Sequence, residues 1–359
     1  MQLKARGGSG GGGAWGYWLL ALVLGGGIIY VISRNSQLGP QSPSPQPATP
    51  AMFQRTSRVT PLPPPAPTNA VEGLNLRNVR TLLEAQVALA REGICSGSID
   101  GALGSQTRAA LRAYQRREKL PVTGELDAAT KARLTVEPPV LAPYVVTAAD
   151  LARLQPLSST WLGKSQQSAL DYADITELLC EKGHTHPALL RKLNPGLNWT
   201  NLTPGTAVDL PRVAYPEPRR ATWLRIRLAE KTLEAFDAQT NLLAHFPCSI
   251  AARVEKRPTG ELRVKVIAPN PNYTFDPEVF PESEEGRKLG RKLILPPGPN
   301  NPVGVAWIGL DLPGYGIHGT PQPENVGRTE SHGCFRLANW NAEYLARMVV
   351  VGTKVVVEP

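Results

Sequence analysis

A short run near the C-terminus, Ser331-His332-Gly333-Cys334, contains residue types that acyl-transfer chemistry uses. Together with His318, upstream in Gly316-Ile317-His318-Gly319-Thr320, it holds two of the chain's five histidines and one of its four cysteines. A thiol with a pKa of about 8.5 becomes a good nucleophile near neutral pH when an imidazole takes or shares its proton. The two segments therefore predict a cysteine nucleophile, Cys334, with a histidine as its base.

Either histidine can serve as that base. In an extended segment His332 and Cys334 project to the same side, because side chains alternate along a strand. His318 reaches the thiol only if the intervening loop folds back. Gly333 exposes its backbone N–H, which together with the Cys334 N–H can stabilise the oxyanion of a tetrahedral intermediate. The residues alone leave both bases open.

Metal binding is an alternative chemistry for these residue types. His318, His332 and Cys334 are possible ligands, but no further carboxylate or cysteine lies close to them in sequence. A second group, from Cys180 to His186, has the pattern Cys-x-x-x-His-x-His but lacks a fourth ligand. We therefore expect no metal and no cofactor.

The three remaining cysteines, Cys95, Cys180 and Cys248, lie far apart and lack the paired spacings of zinc ribbons or redox motifs. If Cys334 is a free nucleophile, at most one intramolecular disulfide can form among them. Cys248 and the nearby His245 lie in a strand-like stretch, which favours core or edge positions.

The elements around the motif are predicted to be mainly β-strands. The stretch 222–228 alternates apolar and polar residues, and 263–266 and 353–357 are short runs with high strand propensity. The intervening stretch from Pro269 to Pro302 is rich in proline and charge. It is expected to form an excursion beside the site and not a core element.

The motif resembles that of the L,D-transpeptidase (YkuD) family, in which His-Gly, a loop and Ser-His-Gly-Cys are followed by a hydrophobic residue and arginine. Asn301-Pro302-Val303-Gly304 and Trp307-Ile308-Gly309-Leu310 are also similar, so that the catalytic domain is expected to span 221–359. The resemblance implies that Cys334 is the nucleophile and His318 the proton acceptor. It places Ser331, His332, Gly333 and Gly319 on the substrate or oxyanion side. Phe335 departs from the family, in which a branched aliphatic residue is commoner.

The resemblance implies a two-step reaction on peptidoglycan stem peptides. Cys334 would release D-alanine from the stem, and an amine would resolve the thioester to give a 3-3 cross-link or a protein-wall attachment. If water resolved it, the enzyme would be an L,D-carboxypeptidase. A catalytically silent wall-binding scaffold is the non-enzymatic alternative. Arg336 either binds a substrate carboxylate through its planar fork or braces the loop.

Residues 76–136 are predicted to form a small all-α unit of three helices. The first carries apolar residues at helical spacing and stops at Gly93, Ser105 is expected to cap the second, and Asp127 the third. The loops 97–107 and 120–127 resemble the signature loops of peptidoglycan-binding domains (PG_binding_1). The resemblance implies that the glycan and stem peptides of peptidoglycan are this chain's partners.

Residues 142–213 are predicted to be a small α/β segment. Its second half, with Leu193-Asn194-Pro195-Gly196 and Leu202-Thr203-Pro204-Gly205, resembles a LysM glycan-binding module, whereas its first half departs from that pattern. The tryptophans Trp161, Trp199 and Trp223 are too scattered in sequence to predict a stacking platform.

The N-terminal region is predicted to anchor the protein in a membrane. Ala14 to Ile32 is an uncharged run of the length that a spanning helix needs, with Lys4 and Arg6 before it. Residues 1–13 would then be a cytoplasmic tail. Residues 33–75 are a proline-rich linker that would hold the folded part away from the bilayer. A cleaved signal peptide is the alternative, although no small-x-small cleavage site follows.

The charge of the chain adds little to this picture. The net charge is +9, but lysines and arginines are spread over the whole chain and do not form a basic arm. We therefore expect no nucleic-acid partner. The order of segments predicts a multidomain, single-pass protein of the bacterial inner membrane, with its C-terminal domains in the periplasm or cell-wall space.

Overall fold

The computed structural model describes residues 75–280, 282–328, 331 and 333–359. The predicted tail, the membrane span, nearly all of the linker and His332 lie outside these residues. Within the described part of the chain, no helix is long and apolar enough to cross a membrane.

The first folded unit is helical, as predicted. Two short strands pair antiparallel and three helices pack together; the elements are β1 (Arg77–Asn78), α1 (Leu82–Arg91), α2 (Ser105–Arg117), α3 (Ala128–Arg133) and β2 (Thr135–Val136). The buried Gln86 amide donates to Asp100 and Thr107, which ties the first signature loop to α1. Asp127 caps α3 as predicted. Ser105 does not cap α2: the N-cap is Gly104, and Ser105 is already the first helical residue.

The middle segment is a small α/β unit. An antiparallel pair of strands closes around four helices; the elements are β3 (Leu141–Val145), α4 (Ala148–Ala152), α5 (Trp161–Ser165), α6 (Ile175–Gly183), α7 (Pro187–Leu193) and β4 (Ala207–Pro211). Val146, Leu178, Leu190 and Val208 are buried at its centre. Its assignment as a LysM-like module stays a prediction.

The C-terminal unit is built on an eight-stranded sheet of order β13-β12-β11-β8-β14-β5-β6-β7. Its strands are β5 (Trp223–Arg227), β6 (Thr232–Phe236), β7 (Leu242–Pro247), β8 (Gly260–Pro269), β11 (Ala306–Leu310), β12 (Gly316–His318), β13 (Phe335–Arg336) and β14 (Lys354–Glu358). Helix α9 (Asn339–Met348) contributes Leu345 and Met348 to the main core of this sheet. The three strand predictions fall on β5, β8 and β14.

The excursion between β8 and β11 has structure of its own. It contains β9 (Tyr273–Phe275), α8 (Glu284–Leu289) and β10 (Leu293–Leu295), of which β9 and β10 pair antiparallel. Phe275 and Leu295 are fully buried in a second apolar cluster that also includes Cys334. The excursion therefore lies beside the nucleophile, as predicted. The prediction that it is not a core element was wrong, because it shares an apolar cluster with Leu170 and Cys334.

The three units pack against one another. The helical unit extends edge strand β7 through backbone hydrogen bonds at Cys95 and His245, and Arg116 forms a 3.0 Å ion pair with the buried Glu234. This pairing covers one exposed edge of the large sheet. His245 and Cys248 are buried in and beside that strand, as their strand-like setting predicted.

Candidate active site

The sheet register determines which side chains of β12 and β13 face the site. These strands are parallel, with Ile317 opposite Phe335 and His318 opposite Arg336. Ile317 and Phe335 are buried in the core that α9 covers. Because side chains alternate across a strand, His318 and Arg336 point to the opposite face. Cys334 lies one residue before Phe335 and belongs to the apolar cluster on that opposite face.

The Cys334 thiol is buried and held by backbone groups. Its Sγ donates to the carbonyl of Gly314 at 3.3 Å. Burial raises the pKa of Cys334 to about 11, although the N–H of Gly316 and the charge of Arg336 act to lower that pKa. At neutral pH the resting group is therefore a thiol, and it needs a base when it attacks.

The hydrogen bond and burial of His318 determine its tautomer and its charge. Its Nδ1 lies 2.6 Å from the carbonyl oxygen of Gly319, and a carbonyl can only accept. Nδ1 must therefore carry the proton, which leaves Nε2 as the basic nitrogen. Burial and the Arg336 charge lower the pKa of His318 to about 3, so the imidazole is neutral. Its ring stacks on Trp307, with the centroids 5.7 Å apart.

Ser331 organises the loop that carries the nucleophile. Its hydroxyl donates to the carbonyl of Cys334 and accepts from the N–H of Gly333 at 3.2 Å. The Gly333 N–H is thus already bonded, which differs from the expectation that it is exposed for an oxyanion. The reason is the Ser331 side chain, which turns back over its own loop. The rival base His332 lies outside the described residues.

Gly319 is required by close packing behind the histidine. A Cβ on this residue would lie 2.2 Å from Asn339 Oδ1. The amide of Asn339, at the start of α9, also donates at 2.7 Å to Glu181 in α6 of the middle segment. The backbone that orients His318 is therefore pressed against a side chain that links two units of the protein.

Arg336 lines the site as a half-buried cation. Burial lowers its pKa, and the Cys334 and Tyr273 side chains act in the opposite direction. Among the described residues no carboxylate forms an ion pair with its guanidinium. A planar guanidinium that lines a cleft is suited to bind an anionic group of a ligand.

Cys334 and His318 open into one cleft with a volume of about 420 Å³. Its polar part contains the predicted residues Ser331, Gly333 and Arg336. Its apolar part is aromatic and comes from three regions of the chain: Trp161, Tyr273, Phe275, Phe280 and Trp307. Of the three tryptophans, Trp161 lines this cleft, where it stacks on Phe275 with the ring centroids 4.4 Å apart. No sequence pattern joins these two distant residues.

The side chains of Cys180, His184 and His186 each have a separate environment. Cys180 is buried in α6, the His184 ring stacks on Trp340 at 4.9 Å, and His186 accepts from the N–H of Ala188 at 3.1 Å. No cluster of three or more candidate ligands occurs among the described residues. All four cysteines of the chain are free thiols.

Two family profiles match the chain. Residues 221–357 match the L,D-transpeptidase catalytic domain (YkuD), and residues 81–134 match the "Putative peptidoglycan binding domain" (PG_binding_1). Neither profile covers the middle segment.

Curated relatives agree with the first match. The "Putative L,D-transpeptidase YkuD" of Bacillus licheniformis is 28% identical over 49% of this chain and 87% of its own length. The "Putative L,D-transpeptidase YqjB" of Bacillus subtilis is 37% identical over 28% of this chain and 51% of its own. The "Probable L,D-transpeptidase YbiS" of Escherichia coli is 29% identical over 46% and 54%. Residues 221–357 are therefore a catalytic domain of the L,D-transpeptidase family, a cysteine-dependent acyltransferase, joined to a helical domain of the peptidoglycan-binding family.

Proposed function

We propose that this enzyme acylates Cys334 with a peptidoglycan stem peptide and transfers the acyl group to an amine. The observation that carries the proposal is the buried thiol in one cleft with a neutral imidazole whose basic nitrogen is Nε2. Peptidoglycan is the partner that the helical domain implies.

In the first step Sγ of Cys334 attacks the carbonyl carbon of the third residue of the stem. His318 Nε2 takes the thiol proton and then gives it to the nitrogen of the departing D-alanine, so that a thioester forms and a neutral amine leaves. The N–H of Gly316, beside the sulfur, favours the developing thiolate. The Cys334 N–H remains the candidate donor to the oxyanion.

In the second step an amine of another stem attacks the thioester. His318 removes a proton from the attacking nitrogen, and the Cys334 thiol is restored. An amine of another stem gives a 3-3 cross-link, whereas an amine of a protein gives a protein-wall attachment. Attack by water instead gives an L,D-carboxypeptidase, and the mass of the released product distinguishes these outcomes.

Arg336 is proposed to bind a carboxylate of the donor stem. Its guanidinium lines the cleft, and no carboxylate among the described residues forms an ion pair with it. The planar guanidinium can accept a carboxylate with two parallel hydrogen bonds. Gly319 and Ser331 act indirectly, the first by orienting His318 and the second by shaping the loop.

Replacement of the nucleophile tests the proposal directly. We expect the full-length wild type, incubated with a tetrapeptide stem, to release D-alanine and to gain an acyl adduct on Cys334. Cys334→Ala should lose both, because no other group can form the thioester. Cys180→Ala is the matched control and should retain both. Release of D-alanine by Cys334→Ala at the wild-type rate would overturn the proposal.

Two histidine variants decide between the candidate bases. His318→Ala should lower the acylation rate about 10²- to 10⁴-fold, the usual contribution of a positioned general base. His332→Ala should have a much smaller effect, since the tautomer of His318 already suits it to that role. Single-turnover acylation measured by mass spectrometry gives both rates. A larger loss in His332→Ala would reassign the base.

The pH dependence of alkylation tests the state of the thiol. Because the pKa of Cys334 is raised to about 11, its thiolate fraction at neutral pH is small. Its reaction with iodoacetamide should therefore rise about tenfold per pH unit between about pH 7 and 10. Arg336→Gln should slow the reaction further at each pH, because it removes a charge that favours the thiolate. A plateau near pH 8 in the wild type would instead indicate a resting thiolate–imidazolium pair.

We also propose that Ala14 to Ile32 anchors the enzyme in the inner membrane, with the catalytic domain on the wall side. The support is the uncharged run and the basic residues before it. An alkaline phosphatase fusion after Pro65 should be active in a bacterial host, and a fusion after Gly12 should be inactive. An inactive fusion after Pro65 contradicts this orientation. Recovery of an N-terminal tag with the membrane-bound full-length chain distinguishes an anchor from a cleaved signal peptide.

A further inference from the structure

The outer wall of the catalytic cleft is supplied by the middle segment. Trp161, the first residue of α5, stacks on Phe275 at an interplanar angle of 13° and lies 6.4 Å from the ring of Phe280. Both phenylalanines belong to the excursion of the catalytic domain. The indole lines the same cleft as Cys334 but belongs to neither matched domain.

Specific contacts fix this wall on the excursion. The two carboxylate oxygens of Glu285, in α8, each accept one backbone N–H at 2.8 Å, from Trp161 and from Leu162. These N–H groups are at the start of α5, where no intrahelical acceptor exists. A carboxylate at this position also interacts favourably with the helix dipole. The backbone at Trp161 is therefore held by charge-assisted hydrogen bonds.

A second attachment lies at the other end of the same stretch. The N–H of Leu170 donates to the carbonyl of Pro297, and its carbonyl accepts from the N–H of Asn300, both at 2.9 Å. Gly298, at φ +144°, allows this approach, since a Cβ there would lie 2.2 Å from the Leu170 carbonyl oxygen. Leu170 itself is fully buried in the apolar cluster that contains Cys334. The stretch from Trp161 to Leu170 is thus anchored at both of its ends.

The position of Trp161 in the cleft indicates which part of a donor stem it contacts. In the proposed reaction the carbonyl that Cys334 attacks belongs to the third residue of the stem. The side chain of that residue branches from the α-carbon next to the reacting carbonyl carbon. The aromatic cluster around Cys334 offers it an apolar surface of Trp161 and Phe280, with Phe275 buried beneath Trp161. A linear chain of methylene groups can lie flat on such a surface, whereas a methyl group reaches little of it.

We propose that Trp161 determines donor specificity by contacting the methylene chain of the diamino acid at the third position of the stem. The inference rests on the proposed function and adds to it a residue outside the catalytic domain. In this proposal the contact area between the indole of Trp161 and the third-residue side chain of the stem increases with the length of that side chain.

The test compares two donor stems in the full-length protein, one with lysine and one with alanine at the third position. The kcat/KM ratio of the two stems is measured by D-alanine release. Trp161→Ala should lower the lysine-to-alanine ratio about tenfold, the usual effect of lost methylene contacts in a pocket. Trp161→Phe should lower it less, and Glu285→Gln, which weakens the attachment of α5, should shift it in the same direction.

Controls separate specificity from folding. Trp199→Phe alters another tryptophan of the middle segment outside this cleft and should leave the ratio unchanged. Iodoacetamide reactivity of Cys334 and the melting temperature report the intact site in each variant. The inference is wrong, and the proposed function is unaffected, if Trp161→Phe keeps both readouts but leaves the lysine-to-alanine ratio unchanged. Equal losses of kcat/KM for the two stems would leave that ratio unchanged. If the wild type is acylated by neither stem, the proposed function fails and the inference with it.

Discussion

The hydrogen bond from His318 Nδ1–H to the Gly319 carbonyl sets the chemistry of this site. It fixes the proton on Nδ1 and leaves Nε2 unprotonated, as the proposed role of His318 as a base requires. The same burial that lowers the pKa of His318 raises that of Cys334 to about 11, so both groups are neutral at rest. In the proposed reaction, charge separation therefore occurs when the thiol attacks the donor.

That hydrogen bond depends on packing that extends beyond the catalytic domain. Gly319 fits only because it lacks a side chain: Asn339 fills the space where a Cβ would lie, and Gly304 packs nearby. Asn339 in turn donates to Glu181 of the middle segment, whose burial raises its carboxyl pKa to about 8. The middle segment therefore contacts the catalytic domain at two places: Glu181 bonds to Asn339, which packs against Gly319, and Trp161 lines the cleft. Both contacts join units that are separate in sequence.

The sequence was sufficient to predict the local features of the site. It was insufficient to predict that Trp161 of the middle segment lines the cleft. Cys334 and His318 were predictable because adjacent glycines and histidines have little structural reason to occur in that pattern. The strands were predictable from alternation, and Asp127 from helix capping. Trp161 was not, because its contact with Phe275 depends on tertiary packing between residues far apart in the chain. The Gly333 N–H was misjudged for a similar reason: only the folded loop brings the Ser331 hydroxyl to it.

The excursion explains why a wall from another unit is needed. With one short helix and two strands of three residues, it buries little apolar surface by itself, and an isolated two-stranded hairpin is marginally stable. Leu170 enters its core, and Trp161 covers Phe275, so the middle segment supplies the apolar area that the excursion lacks. The same contacts therefore stabilise the excursion and shape the cleft. The proposed effect of Trp161 on the choice of donor stem therefore rests on contacts that also stabilise the excursion.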